Sequence, residues 1–392
     1  MRTSTYRGFT IVELLIVIVV IAILAVLTIV SYGIVNERAR IATLEANLSQ
    51  LTKSLELYGL NNSANFPTSL ESSNIKLPEN ATYTYTSNGR YYCLTATVQN
   101  NTYRVMSNNT RPTDGNCVGI LADGSTCPVN WVLIPGNAAF STNEFCIMKY
   151  EARNVGGVAT SQPTGAPWTN ISQTSAISTA AAACSGCRLM TDAEWMTLAA
   201  NIYGVGSNWS GGSVGSGYVF AGHTDGSPAA AIDASTDDSN GYINTGNTSG
   251  QTASTSGVQG NSQRRTHTLN TGEVVWDLMG NVWEQTSGTL GAGQLPGLVS
   301  DGPFVWRQWN TAGMVWGGLS DLSKPGAVSP AAASYSSAQG IGMIYTSRAD
   351  GSTRSMSRGG NWGSNVYAGI FSLLLQNNPT NTNANVGFRV VK

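Results

Sequence analysis

Apolar and polar positions divide the chain into stretches of different period. No charged side chain stands between Glu13 and Glu37, a stretch that as a helix would reach about 34 Å, enough to cross a hydrocarbon layer of roughly 30 Å. The run "RGFTIVELLIVIVVIAILAVLT" at 7–28 is too long for the apolar core of a secretory signal peptide, so a single membrane-crossing helix is expected. Past it, Ile41, Leu44, Leu48, Leu51 and Leu55 recur every three or four residues, with Glu37, Arg38, Glu45 and Lys53 between them. That is the stripe of an amphipathic helix that packs on a neighbour. Gly59 and the "NNSANFP" after it are expected to stop the helix.

The period then changes from helical to two. "ATYTYTS", "RYYCLTATV" and "TYRVMS", bounded by Asn, Gly and Pro, predict a small antiparallel sheet laid on the helix. A second unit opens near residue 126, where "CPVNWVLIPGNAAFSTNEFCIMKYEARN" holds two strand-like segments around a turn. "MTDAEWMTLAANIYG" predicts a helix with a capping box of Thr191 and Glu194, and with Trp195, Leu198 and Ala199 on one face. Residues 204–262, rich in Gly, Ser, Thr, Asn and Asp, carry strong motifs on both sides and read as long ordered loops.

Glu13 adds chemistry to the apolar run, because a carboxylate at the edge of such a helix is costly in lipid and marks a function or a partner. With the short basic leader, Gly8, Phe9 and Thr10 before it, the N-terminus resembles a type IV prepilin. The resemblance implies a prepilin peptidase that cuts after Gly8 and methylates the new amino group of Phe9. It also implies that Glu13 pairs with the amine of a neighbouring pilin subunit during assembly, giving both charges a partner. A plain single-pass anchor is the alternative. The expected organisation is a leader at 1–8, a transmembrane and pilin helix at 9–60, a small pilin-like β head at 61–125, and a second domain at 126–392.

Charge is sparse: 11% of residues are charged and the net charge is −1, so the basic footprint of a nucleic-acid-binding protein is missing. All six cysteines, Cys93, Cys117, Cys127, Cys146, Cys184 and Cys187, follow the apolar run. An even number in an exported region favours disulfides, among whose pairings sequence does not choose; Cys93 with Cys117 would close the first head. "CSGC" at 184–187 also admits a redox or zinc role, but no second pair stands at zinc-site spacing.

Four segments identify the second unit: "WVLIPG" at 131–136, "CRLMTDAEW" at 187–195, "WDLMGNVWE" at 276–284, and "SRGGNW" to "VGFRVVK" from Ser357 to the end. In this order they resemble the formylglycine-generating enzyme superfamily, over about residues 127–392. The resemblance implies a C-type-lectin-like domain and hence an α+β chain overall. Oxidases of that superfamily hold copper with two C-terminal cysteines, the soft ligands such a site needs. This chain has no cysteine after Cys187, and its two histidines, His223 and His267, have no thiol near them in sequence. The oxidase apparatus is therefore missing. The family resemblance also implies calcium at "WDLMGNVWE", with carboxylate oxygens from Asp277 and Glu284 and carbonyls from Gly280 and Val282, the hard donors calcium prefers. The other reading makes Trp276 and Trp283 core residues and the acids caps of the turn. No cofactor is required; a structural calcium is the one ion that the resemblance allows.

The tract "NVYAGIFSLLLQNNPTNTNANVGFR" at 365–389 closely resembles the C-terminal segment of variable proteins of diversity-generating retroelements. In those systems adenines of asparagine codons are randomised, and Gly363, Ser364, Asn365, Val366 and Tyr367 are all asparagine or reachable from its AAC codon through its adenines. Residues of such different size are tolerated only where they face solvent or ligand. The resemblance implies a variable region at 358–392, a binding face of Trp362 to Tyr367 with Leu374, Gln376 and Asn378, and a scaffold of Trp362, Phe371, Leu373 and Phe388. Phe304, Trp306, Trp309 and Trp316 are candidates for a second wall or for core. The expected function is non-enzymatic: a binding protein shown on a cell surface or pilus, whose partner is an external protein, phage or glycan. The alternatives are a structural minor pilin or pseudopilin and, third, an oxidase.

Overall fold

The structure, a computed structural model, describes residues 11–63, 65–99, 101–107, 109–114, 117, 127–245 and 263–392. Two compact units divide between Gly124 and Ser125. In the first, α1 (Ile11–Asn61) is followed by an antiparallel sheet of β1 (Thr82–Ser87), β2 (Tyr92–Val98), β3 (Asn101–Met106) and β4 (Asn109–Asp114) in sequence order. Leu44, Leu48, Leu51 and Leu55 are at most 2% exposed and share a core with Tyr92, Leu94, Ala96 and Val105. Burying each leucine contributes about 1.5–3 kcal/mol, which holds the C-terminal half of the helix on its sheet. Cys93 is joined to Cys117.

α1 ends at Asn61, the first residue of the "NNSANFP" stretch expected with Gly59 to stop it. A side chain at 59 would meet the Phe66 ring at 3.0 Å, so this glycine makes room for the returning chain. Gly8 and Phe9 lie outside the described residues, as does the side chain of Glu13. Among the described residues no helix is long and apolar enough to cross a membrane.

The second unit is a mixed α+β body. Its larger sheet holds six strands, in the order Val305–Arg307, Ile344–Thr346, Gly369–Leu374, Arg354–Gly359, Trp283–Leu290 and Val386–Phe388, and its smaller sheet four, in the order Trp131–Ile134, Phe145–Met148, Val390–Val391 and Arg188–Leu189. In chain order these are β5 (Trp131–Ile134), β6 (Phe145–Met148), a hairpin of β7 (Ala152–Val155) and β8 (Val158–Ser161), α2 (Gln173–Ala183), β9 (Arg188–Leu189) and α3 (Asp192–Tyr203). A second hairpin, β10 (Thr266–Thr268) with β11 (Val274–Trp276), leads to β12 (Trp283–Leu290), β13 (Val305–Arg307), β14 (Ile344–Thr346), β15 (Arg354–Gly359), β16 (Gly369–Leu374), β17 (Val386–Phe388) and β18 (Val390–Val391). The last strand pairs with β6 and β9, so the end of the chain closes the sheet begun by its first strands. Cys127–Cys146 and Cys184–Cys187 are the remaining disulfides.

The capping box forms at α3: Thr191 Oγ1 accepts from Glu194 N at 3.2 Å, and Glu194 Oε2 accepts from Thr191 N at 2.9 Å. Trp195, fully buried, donates its indole N–H to Ile370 O at 2.9 Å and so fastens the helix to β16. Residues 204–245 run as turns with one short 3-10 segment, Gly206–Asn208. The rest of the expected loop, 246–262, lies outside the described residues.

Candidate functional site

The turn after β11 is organised by buried charge. Asp277 accepts from Arg265 through both oxygens, at 2.6 and 2.7 Å; Glu284 accepts from Arg389, at 2.7 to 3.1 Å. All four side chains are at most 1% exposed. Glu151 bridges the middle of the turn, accepting from Asn281 Nδ2 at 2.6 Å and from Val282 N at 3.2 Å. Burial pushes its carboxyl up to about 8, with Asp277 adding to the shift and Arg153 opposing it. Burial raises Glu284 as well.

The calcium set expected from Asp277, Gly280, Val282 and Glu284 does not fit this arrangement. Each carboxylate is already neutralised by a guanidinium, and a calcium ion would have to displace both arginines and leave them buried without partners. Among the described residues no group of three or more His, Cys, Asp or Glu is placed to hold a metal. The turn is a structural joint, with Trp276 and Trp283 in the interior.

The last motif is fastened in the same way. Arg358, fully buried, pairs with Asp192 at 2.7 Å and donates to Phe371 O and Ser323 O. After it, Gly359 and Gly360 take φ values of 89° and 108°, and a Cβ on either would come within 2.5 Å of Leu278 O or the Ala368 side chain. Only glycine fits such a backbone so close to its neighbours. Residues 361–368 then cross the surface with their main chain held from below. Trp362 N donates to Asn281 O at 3.0 Å, Asn365 N to Thr224 O at 2.8 Å, and Met343 N to Tyr367 O at 3.1 Å.

The side chains on this fixed path point to different surroundings. Gly363 is exposed, and a Cβ built on it meets nothing within 4 Å. Trp362, Asn365, Val366 and Tyr367 are half-buried and Gln376 is exposed. Tyr367 lies flat on Trp306, with centroids 4.4 Å apart and planes 2° apart. Trp306 in turn touches Tyr345 at 4.8 Å, and Tyr345 touches Phe304 at 5.7 Å. Arg354 sits over Phe304 at 5.1 Å and donates to Gln376 O. A continuous row of rings therefore links Tyr367 to Gln376. Tyr345 and Arg354 were not legible as members of it; the alternation of "MIYTS" shows a strand but not its neighbours.

Two expected face residues lie beneath the surface. Leu374, 8% exposed, packs with Trp283 and Val386 under Trp306 and Tyr345, because every residue of β16 is covered on both sides of the sheet. Ser364, 6% exposed, donates to Asn361 Oδ1 at 2.6 Å and holds the turn. Asn378 is half-buried and its Oδ1 accepts no hydrogen bond among the described residues; its N–H is bonded to Asn381 Oδ1 at 2.7 Å, within the asparagine loop. That loop is anchored by main-chain carbonyls, Asn383 O to Asn170 N and Asn385 O to Trp283 N, while Thr380, Asn381, Thr382 and Ala384 are exposed. Of the second wall, Trp306 and Phe304 join the face. Trp309 and Trp316 stack on each other elsewhere, with centroids 6.0 Å apart.

Residues 86–392, more than half of the chain, match the model of the sulfatase-modifying factor enzyme 1-like domain. The chain belongs to this family. The match begins inside β1, upstream of the second unit. Residues 3–29 match the prokaryotic N-terminal methylation motif. Among solved structures, the Major Tropism Determinant U1 variant aligns with a TM-score of 0.29 at 13% identity, over 74% of this chain and 62% of its own. The P3c variant aligns with a TM-score of 0.30 at 13% identity, over 81% and 84%. The chain thus spans less than two thirds of the U1 variant. No curated protein sequence matches it.

In this sulfatase-modifying factor domain no cysteine is free. Both histidines are fully buried: His223 Nε2 faces Pro228 O and Ala230 O, and His267 Nε2 donates to Phe220 O at 2.8 Å. Burial lowers both, His267 down to about 3, with Arg264 and Arg389 acting in the same direction. A histidine whose folded value lies below its unfolded one contributes stability that is present above about 6.5 and is lost as pH falls toward 3, at about 1.4 kcal/mol per pH unit. His267→Gln keeps a donor for Phe220 O, so its denaturation midpoint should fall less steeply than that of the wild type between pH 6.5 and 4. Parallel curves would show that His267 does not titrate in this window. All ten tryptophans lie beyond residue 125, so indole fluorescence reports this domain.

Proposed function

We propose that the chain is a non-enzymatic binding protein carried to the cell surface or a pilus by its N-terminal segment. Its recognition face is formed by Trp362, Gly363, Asn365, Val366, Tyr367 and Gln376 on the Trp306 platform, with the asparagine loop beside them. One observation carries this reading: from 361 to 368 the main chain is bonded to the core, while Gly363 has open space where a side chain would stand. Apart from Asn361 and Ser364, whose side chains hold the turn, a backbone bonded in this way can be given new side chains. Tyr and Trp supply rigid contact area there, and Asn and Gln supply adaptable hydrogen bonds.

The methylation motif supports cleavage after Gly8, a membrane-crossing helix before assembly, and pairing of Glu13 with the amine of a neighbouring subunit. The C-terminal resemblance supports diversification of the face by a retroelement. Sequencing the surrounding locus tests this: a near-identical repeat differing at adenines, beside a reverse transcriptase, is expected, and its absence ends the diversification reading. Binding is tested with the full chain displayed on cells against a panel of bacterial strains and phages. Exchanging residues 363, 366, 367 and 376 together should change which members of the panel are bound. An unchanged profile, with the protein still folded, rules out this face as the recognition surface.

A further inference from the structure

The recognition face proposed above is almost without charge. From Gly359 to Phe388 no side chain is charged, and Arg358 and Arg389, which bracket that stretch, are buried on Asp192 and Glu284. Beside the row of rings, Arg354 is held by both oxygens of Asp350, and Arg307 pairs with Asp301. One carboxylate is different. Thr224 O accepts from Asn365 N at 2.8 Å, and Gly226 N donates to Trp362 O at 2.6 Å, so Asp225 is fixed between two main-chain bonds, alongside residues 363 and 364. Thr224 N is itself held by Gln263 Oε1 at 3.0 Å.

The Asp225 side chain is 26% exposed and accepts from Ser227 N at 3.0 Å. Among the described residues its one basic neighbour at ion-pair distance is His223, whose Nδ1 stands at 3.8 Å. His223 is fully buried, and burial lowers it below its ordinary value, so at neutral pH it brings no charge. Residues 246–262, from the same long loop, contain no lysine, arginine or histidine either. A half-buried carboxylate without a cation, on a face whose other charges are paired, sets the sign of what docks there. A positive group of the partner gains a charge-assisted bond, an acid is repelled, and an apolar group strips the carboxylate of water without replacing it.

We propose that Asp225 is a specificity-determining residue of the recognition face and takes a lysine ammonium or arginine guanidinium of a protein partner. This rests on the reading of the face as a binding surface. Asp225 lies outside the exchangeable residues, so the demand for a cation stays the same when they change.

The experiment selects from a random peptide library displayed on phage, using the full chain in a non-ionic detergent, with Asp225→Asn and Asp225→Lys beside it. The amide keeps an acceptor for Ser227 N, and indole fluorescence checks that each form is folded. Peptides enriched by the wild type should carry lysine or arginine well above the input library. Those enriched by Asp225→Asn should lose that bias, and Asp225→Lys should favour aspartate and glutamate. A synthetic copy of a peptide selected by the wild type should bind Asp225→Asn about two- to fivefold more weakly, and added salt should weaken its binding to the wild type alone. Equal basic content in the wild-type and Asp225→Asn selections, equal affinity of the synthetic peptide for both, loss of its binding on adding a chelator, or no enrichment from the library overturns the proposal. The face is judged separately, by exchanging residues 363, 366, 367 and 376: peptides selected without a basic bias but lost on that exchange remove the role of Asp225 and keep the face.

Discussion

Replacing Arg389 with methionine should cost the second unit about 3–5 kcal/mol, measured by urea denaturation followed through indole fluorescence. Arg389 is fully buried between β17 and β18. Besides Glu284 it serves Met148 O and Lys149 O at 3.0 Å and Trp276 O at 2.6 Å. One guanidinium therefore ties the end of the chain to β6 and to the turn after β11. Methionine fills part of the volume but leaves a buried carboxylate without its partner and takes a donor from three carbonyls, of which Lys149 O keeps Trp276 N at 2.9 Å. Adding Glu284→Gln should recover part of the loss, because a neutral amide costs less to bury than an unpaired carboxylate. A midpoint for Arg389→Met equivalent to less than about 1 kcal/mol of destabilisation would mean that water reaches Glu284 and that the joint is not a closed one.

The second large effect separates the face from the floor beneath it. Leu374→Asn should destabilise the same unit by about 2–5 kcal/mol, since it removes packing against Trp283 and Val386 and buries an amide where no partner is available. Gly363→Asn, Val366→Ser and Gln376→Ser should each stay within about 0.5 kcal/mol. Tyr367→Asn should lose about 0.5–1.5 kcal/mol, the value of its stack on Trp306. If Leu374→Asn were as mild as the others, Leu374 would have to belong to the exchangeable surface after all, and the boundary of the face would move inward.

Local pattern was enough for features that depend on near neighbours in the chain. The leucine stripe of α1 is buried as its spacing requires, because residues three and four apart share one face of a helix wherever that helix lies. Thr191 and Glu194 close a capping box three residues apart. The motifs of the second unit were readable because their residue types are fixed by tight backbone geometry, as at Gly359 and Gly360.

Tertiary structure alone decided which distant groups meet. Asp192 and Arg358 are 166 residues apart, Glu284 and Arg389 105, and nothing in a run of sequence states that one charge will be neutralised by another that far away. For this reason Asp277 and Glu284 could be taken for calcium ligands until Arg265 and Arg389 were seen beside them. Leu374 shows the same limit for burial: alternation along a strand tells which residues share a side of the sheet, but only the layers packed above and below decide that both sides are covered. Gly59 stands at the end of α1 as its sequence suggests, but its second role, space for the Phe66 ring, depends on a residue that only the returning chain brings beside it.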